Sequence, residues 1–236
     1  MPKPSPSERL ASIAAAAIEA FGRVGYRGTR TADVAARAGL SAGSLFTYVE
    51  SKEALFHLVF LSALDLLPQA PELPLPTPGP GETVALFARA LQDVPVSRIQ
   101  AGLAAREPGD AGQELREIVE ELYDMMERYW PLLAVVERCS AEMPDLEAVW
   151  FGAGRSGIYS DLAEYLQRRA ESGQLRPMPD AMMAARLIGE MVAWFAWHRR
   201  EDHDAACYDD KAARRTVIEF ACAALVPPSE SENKHC

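Results

Sequence analysis

Long apolar runs are missing from this chain of 236 residues. Its most apolar stretch, Met182 to Trp197, is interrupted by Arg186 and Glu190, so nothing approaches the roughly 18 unbroken residues of a membrane helix. The opening MPKPSPSERL lacks the apolar core of a secretory signal. Closely paired cysteines are missing as well: Cys139, Cys207, Cys222 and Cys236 show no C-x-x-C spacing, which argues against a disulfide framework or a zinc cage. Nucleophile elbows, phosphate-cradling loops and convincing alternating strands are also absent. The expectation is a soluble, cytoplasmic, all-α protein with no membrane partner, no enzymatic activity, and no metal or cofactor.

An excess of base is missing too. The formal net charge is −10, an unfavourable total for a chain that approaches a polyanion. The distribution says more than the total. Residues 1–60 hold seven Lys/Arg against five Asp/Glu, whereas the remainder holds seventeen against twenty-nine. A mildly basic head on an acidic body is the asymmetry expected when one end meets nucleic acid and the other does not. The length allows one large or two modest cores.

What is present is helical periodicity. Leu10, Ile13, Ala14, Ala17, Ile18 and Phe21 form one apolar stripe. Ser5, Pro6 and Glu8 supply a cap, a first-turn proline and a capping-box partner, and Gly22 and Gly25 are expected to end this helix. A second helix opens at Thr31, carries Asp33 in its first turn and closes at Gly39. After the turn AGLS, Ser41 caps a third helix from Ala42 to about Val49. Leu40, Leu45 and Val49 point back at Val34 and Ala35, leaving Ala42, Gly43, Ser44, Thr47 and Tyr48 outward. Small and hydroxyl-bearing residues let a helix approach base edges and phosphates closely, whereas a merely solvated face would carry long charged side chains. Ser51 caps a fourth helix with Lys52 at its first position. The macrodipole disfavours a cation there, and a neighbouring phosphate would reverse the sign.

These residues, in this order, resemble the DNA-binding domain of the tetracycline-repressor (TetR) family of bacterial transcriptional regulators. Gly25, Tyr26, Thr31, Ala38, Gly39, Leu40, Ser41, Gly43, Leu45, Ser51, Lys52, Glu53 and Leu55 match the family pattern in register. Two positions depart from it: the usual Tyr after Leu45 is Phe46, and a later aromatic is Val49, although Tyr48 supplies a hydroxyl nearby. The resemblance implies an N-terminal three-helix, helix-turn-helix domain over 1–60 that binds double-stranded DNA, followed by a larger helical effector-binding and dimerisation domain over 61–226. It implies Thr31 and Lys52 as phosphate contacts, and Ser44, Thr47 and Tyr48 as base or backbone readers. It also implies a ligand-responsive regulator, most often a repressor, released from a palindromic operator by a small-molecule effector. Residues 227–236 are expected to be a disordered tail.

Beyond the head, PQAPELPLPTPGPGE, Pro68 to Glu82, reads as a stiff exposed linker. Helices are expected over 82–94, 97–106, 111–129, 131–142, 155–172, 180–199 and 209–225. Met183, Leu187, Ile188, Met191, Val192, Trp194, Phe195 and Trp197 cover too much circumference for one core-facing stripe. Two helices from each of two subunits are therefore expected to meet in a homodimer, with Met191, Trp194, Phe195, Val217, Phe220, Ala221 and Ala224 at the seam. A small-molecule effector is expected among the middle helices, where Tyr123, Met126, Tyr129, Trp130, Trp150, Phe151 and Tyr159 gather. Aromatics and Met at such spacing also suit plain core.

GAGRSG, Gly152 to Gly157, spells the dinucleotide-binding fingerprint, but that chemistry needs a preceding strand. MPDLEAVWF before it is helix-like, so a flexible break between helices is expected. His198, His203, Asp204 and Cys207 mix ligand types in an acidic loop without a convincing metal-site pattern. The competing functions are a nucleotide-dependent enzyme using Gly152 to Gly157 and a helical interaction protein without DNA binding.

Overall fold

The computed structural model describes residues 5–93, 96–105 and 109–228. From residue 229 onward the expected tail lies outside the described residues, as do Val94 and Arg106, the last residues of two expected helices. Among the described residues all regular structure is helical, apart from one isolated bridge between Val49 and Leu75. The chain divides into two compact units, Met1–Val94 with Pro131–Gly154 and Pro95–Trp130 with Arg155–Cys236.

In the first unit, α1 (Pro6–Gly28) starts with the capping box: Glu8 N–H donates to Ser5 Oγ at 3.2 Å, and Ser5 N–H donates to the Glu8 carboxylate at 2.7 Å. The helix passes through Gly22 and breaks at Gly25, whose φ of 78° is left-handed. A Cβ there would lie 2.7 Å from a Glu142 oxygen, and the same carboxylate accepts the Arg27 N–H at 2.7 Å, so a side chain at this position would be both strained and crowded. Next come α2 (Thr31–Arg37), α3 (Ala42–Leu45), α4 (Lys52–Ala63) and α5 (Glu82–Asp93). The residue-60 boundary expected from sequence falls inside α4. Aromatic rings link these elements edge to face: Phe21 to Phe56, Phe56 to Phe60, and Phe60 to Phe87, with centroids 5.2, 5.1 and 5.7 Å apart.

The second unit contains α6 (Ser97–Ala104), α9 (Arg155–Glu171), α10 (Ala181–Ala196) and α11 (Asp210–Leu225), together with the first two thirds of α7 (Ala111–Ser140). Its core joins Ile99, Leu115, Val119, Leu166, Val192 and Val217. Two arginines are buried in it with their charges answered. Arg169 meets Glu114 and donates to Gly102 O, while Arg199 pairs with Asp210 and donates to Phe195 O and Tyr208 O. Tyr165 closes over Gly102, where a Cβ would meet its ring at 2.8 Å.

Three expectations need correction. The break at Trp130 does not occur, and α7 continues through Pro131. A mid-helix proline costs about 3 kcal/mol, offset here because Leu132, Leu133, Val135, Val136 and Cys139 beyond it are buried. The glycine run is not a flexible break. Ala148–Gly154 forms a π-helical turn after α8 (Pro144–Glu147), and α9 begins at Arg155, so no strand precedes the glycines. The widened turn brings Gly154 against Leu91, whose Cδ1 leaves 2.9 Å for a Cβ. The proline-rich segment is not a free spacer either: Leu75 is bridged to Val49.

Candidate nucleic-acid interface

The candidate interface is built of short helices joined by tight turns. Gly39, with φ 68°, lets the chain leave α2, and Leu40 N–H returns to Ala35 O at 2.8 Å. Ser41 Oγ then accepts Ser44 N–H at 3.1 Å and opens α3. The third helix is shorter than expected. After Leu45 the hydrogen bonds tighten, Thr47 N–H to Ser44 O at 3.2 Å and Tyr48 N–H to Leu45 O at 2.9 Å, so residues 46–48 continue as a turn. Leu45 and Val49 are buried with Val34 and Ala35, while Ala42, Gly43 and Thr47 are exposed and Ser44 and Tyr48 half-buried. Thr47 Oγ1 donates to Ser44 O at 2.8 Å.

Thr31 and Lys52 open α2 and α4, the helices before and after α3. Thr31 is half-buried at the first position of α2, whose cap is Arg30 without a side-chain bond. Lys52 is half-buried at the start of α4, with its Nζ 4.7 Å from the centroid of the Tyr26 ring. That contact answers part of the cost of a cation at a helix start. Tyr26 OH donates to Glu53 at 3.0 Å, and burial pushes the phenol pKa upward. Glu53 is held below the usual carboxylate range by its backbone hydrogen bond at the helix start and then by Tyr26. The result is a linked Lys52–Tyr26–Glu53 group at the start of α4.

Phe46, noted in the sequence only as a departure from Tyr, is 44% exposed between buried Leu45 and exposed Thr47.

The aromatic set expected to line one effector site is divided. Trp150 and Phe151 belong to the first unit, where Trp150 is buried beside Phe87. The other five belong to the second. Tyr123 is buried and donates to Phe195 O at 3.2 Å, and Met126, Tyr129 and Trp130 are half-buried on α7. Tyr159 lies across Gly189 of α10, its ring flanked by the guanidiniums of Arg155 and Arg186 at 5.9 and 4.9 Å.

The expected seam residues also separate by exposure. Val217 and Ala221 are buried in the core of their own unit, and Met191 and Phe195 are half-buried. Trp194, Phe220 and Ala224 are exposed, with Phe220 at 68%. Met183 and Leu187, at 63% and 69%, extend the same side of α10 at a spacing of four residues toward Met191. In the loop before α11, His203 and Asp204 touch at 3.4 Å in full exposure, and His198 stacks on Trp197 instead of turning toward them. Among the described residues no three His, Cys, Asp or Glu side chains converge as a metal site, and no helix is long and apolar enough to cross a membrane.

A family model described as bacterial regulatory proteins of the tetR family matches residues 13–59, and one described as the C-terminal domain of AefR-like transcriptional repressors matches residues 113–223. Among solved structures, the chain is similar to the TetR-family transcriptional regulator PfmR from Thermus thermophilus, at 20% identity with 89% of this chain and 97% of that one covered and a TM-score of 0.52. It is also similar to AibR in complex with isovaleryl coenzyme A and operator DNA, at 17% identity with 90% and 97% covered and a TM-score of 0.53. At these identities the likeness is one of fold. No curated protein matches the chain.

Proposed function

Because the chain belongs to the tetR family of bacterial regulatory proteins, we propose that it is a ligand-responsive DNA-binding transcriptional regulator, a repressor released from a palindromic operator when a small molecule binds its helical body. The observation that carries this reading is the exposed face of α3 and the turn after it, built of Ala42, Gly43 and Thr47 and backed by buried Leu45 and Val49. Ser44, Thr47, Tyr48 and Phe46 are the proposed readers, with Thr31 and Lys52 gripping phosphates on either side. The functional division runs near residue 60, with reading on the N-terminal side and effector binding and dimerisation over 61–226. Acting on bacterial DNA places it in the cytoplasm. The family consists of regulators that act by binding, and no catalytic step is proposed.

One reading turn touches few base pairs, and each correct contact discriminates by about 1–3 kcal/mol, too little to find one site in a genome. Two copies joined through the exposed sides of α10 and α11 double that discrimination and require an inverted repeat. We assign Met183, Leu187, Trp194, Phe220 and Ala224 to the seam, with Met191 and Phe195 at its edge and Val217 and Ala221 supporting it from beneath. The effector is assigned to the second unit beside Met126, Tyr129 and Trp130, above Tyr123 and near Tyr159. A ligand acts by preferring the conformation whose heads are wrongly spaced, and it shifts the population only by its difference in affinity for the two states.

Selection of bound sequences from random duplex DNA tests the reading. An enriched palindrome is expected. No enrichment at low salt would instead favour a helical interaction protein. Acyl-coenzyme A thioesters, one of which is bound in the AibR complex, form the first probe set for release of the selected duplex.

A further inference from the structure

The segment LPLPTPGP, Leu73 to Pro80, alternates proline with a residue that keeps its N–H. In an extended chain successive N–H and C=O pairs point to opposite edges. Such a strand can therefore donate along one edge only, because its other edge carries prolines. The donating edge is in use. Leu75 N–H donates to Tyr48 O at 2.8 Å, and Leu75 O accepts Glu50 N–H at 3.0 Å. Two residues on, and so on the same edge, Thr77 N–H donates to the Glu50 carboxylate at 2.9 Å and its hydroxyl donates to Ser51 Oγ at 2.8 Å. Farther back, Ser7 Oγ donates to Gln69 O at 2.9 Å, tying the chain ahead of the segment to α1.

The groups held by Leu75 and Thr77 all belong to the turn between α3 and α4, whereas Gly79 N–H, next on that edge, donates to the Glu82 carboxylate at 2.8 Å. The turn carries Tyr48 at one end and Lys52 at the other, and Ser51, the cap of α4, lies within it. Tyr48 and Val49 N–H both return to Leu45 O, at 2.9 and 3.2 Å, whereas Tyr48 O and Glu50 N–H are met by Leu75 of the strap. A solvated linker would have no use for a one-edged donor pattern that coincides with the unpaired groups of that turn.

We propose that Leu75 and Thr77 are positioning residues for DNA recognition: the alternating-proline strap is a built part of the reading head that fixes the Tyr48–Lys52 turn in its DNA-competent conformation. The proposal rests on the DNA-binding reading above. It deepens that reading by placing specificity partly in residues that need not touch a base. The strap adds no charge at Leu73–Pro80, so its contribution falls on sequence-dependent contacts and not on the salt-dependent grip common to all duplexes.

The test uses the full chain, a palindromic duplex selected by the wild-type protein, and a scrambled duplex of the same length. Leu75→Pro deletes the N–H that bonds Tyr48 O; Thr77→Val deletes the hydroxyl bond and keeps the N–H. Affinity for the selected duplex is expected to fall about tenfold in Leu75→Pro and about threefold in Thr77→Val, with less than about a twofold change on the scrambled duplex. Thr77→Ser, which keeps the hydroxyl, restores wild-type discrimination. Thermal unfolding midpoints control for folding, and the two Thr77 variants decide the matter if Leu75→Pro fails to fold. Equal losses on both duplexes, or wild-type discrimination in folded Leu75→Pro or Thr77→Val, would overturn the proposal. Failure of the DNA reading is distinguishable, since it appears already as a wild-type chain that enriches no duplex.

Discussion

The exposed side of α3 and the exposed sides of α10 and α11 are built from opposite materials. On α3 and the turn that follows it they are Ala42, Gly43 and Thr47, with one ring at Phe46; on α10 and α11 they are Met183, Leu187, Trp194 and Phe220. Behind each lies an ordinary apolar core. What differs is the surface left over, and it differs in the way that partners differ. A polar, sterically rigid duplex is approached best by side chains that are short and can donate or accept. A second copy of a protein is held best by large apolar groups whose removal from water supplies the driving force. Monomeric surfaces scatter single apolar residues, but a stripe at helical spacing along one side of α10 is a patch that calls for cover.

Breaking the apolar surface has the largest expected effect. Phe220→Asp should sediment as a monomer with its helical circular dichroism retained. It should bind the selected duplex about a hundredfold or more weakly while losing far less on scrambled DNA, because only the specific mode needs both heads. A folded monomer with unchanged specific affinity would disconnect the two surfaces. Next comes the cationic flank of the polar surface. Lys52→Ala should weaken binding to all duplexes about tenfold and flatten the logarithmic salt dependence by about one unit per head. If that variant lost sequence preference while its affinity for scrambled DNA stayed unchanged, Lys52 would be a reader and not a phosphate grip.

The comparison is sharpened by the one residue that breaks the rule, Phe46, an apolar ring on the polar surface. An exposed ring without a hydroxyl suits a thymine methyl group. Replacing thymines of the selected duplex by uracil, one position at a time, should cost the wild type about threefold at one position per half-site. The same replacement should cost Phe46→Ala nothing further. Equal sensitivity in both chains would move Phe46 off the bases.

The smallest effect concerns the interior behind the polar surface. His57 Nδ1 lies 2.9 Å from Thr83 Oγ1, and burial lowers the pKa of the ring against the opposing pull of Glu82. A depressed folded-state value means that its contribution to stability is whole above the ordinary value of 6.5 and is lost as pH falls below it. His57→Gln should therefore flatten the decline in Tm between about pH 6.5 and pH 5 by a degree or two. An unaltered decline in the variant would show that this histidine is not what titrates.

Local chemistry was legible in the sequence by itself. Ser5 and Glu8 could make only one kind of helix start, Gly39 marked the one exit from α2, and the stripe from Leu10 to Phe21 could only face a core. These follow from interactions within about four residues, where periodicity and capping leave little choice. Tertiary structure decided which apolar residues of a many-sided helix are core and which are surface. Val217 and Phe220 sit three positions apart on α11, yet one is buried and the other bare, and only the neighbours across the core distinguish them. The same holds for the aromatic set, whose members belong to two different compact units. It holds too for the strap. Its prolines announced stiffness, but that Leu75 would meet Tyr48 and Glu50 depends on a return of the chain across more than twenty residues, a pairing that no local preference encodes.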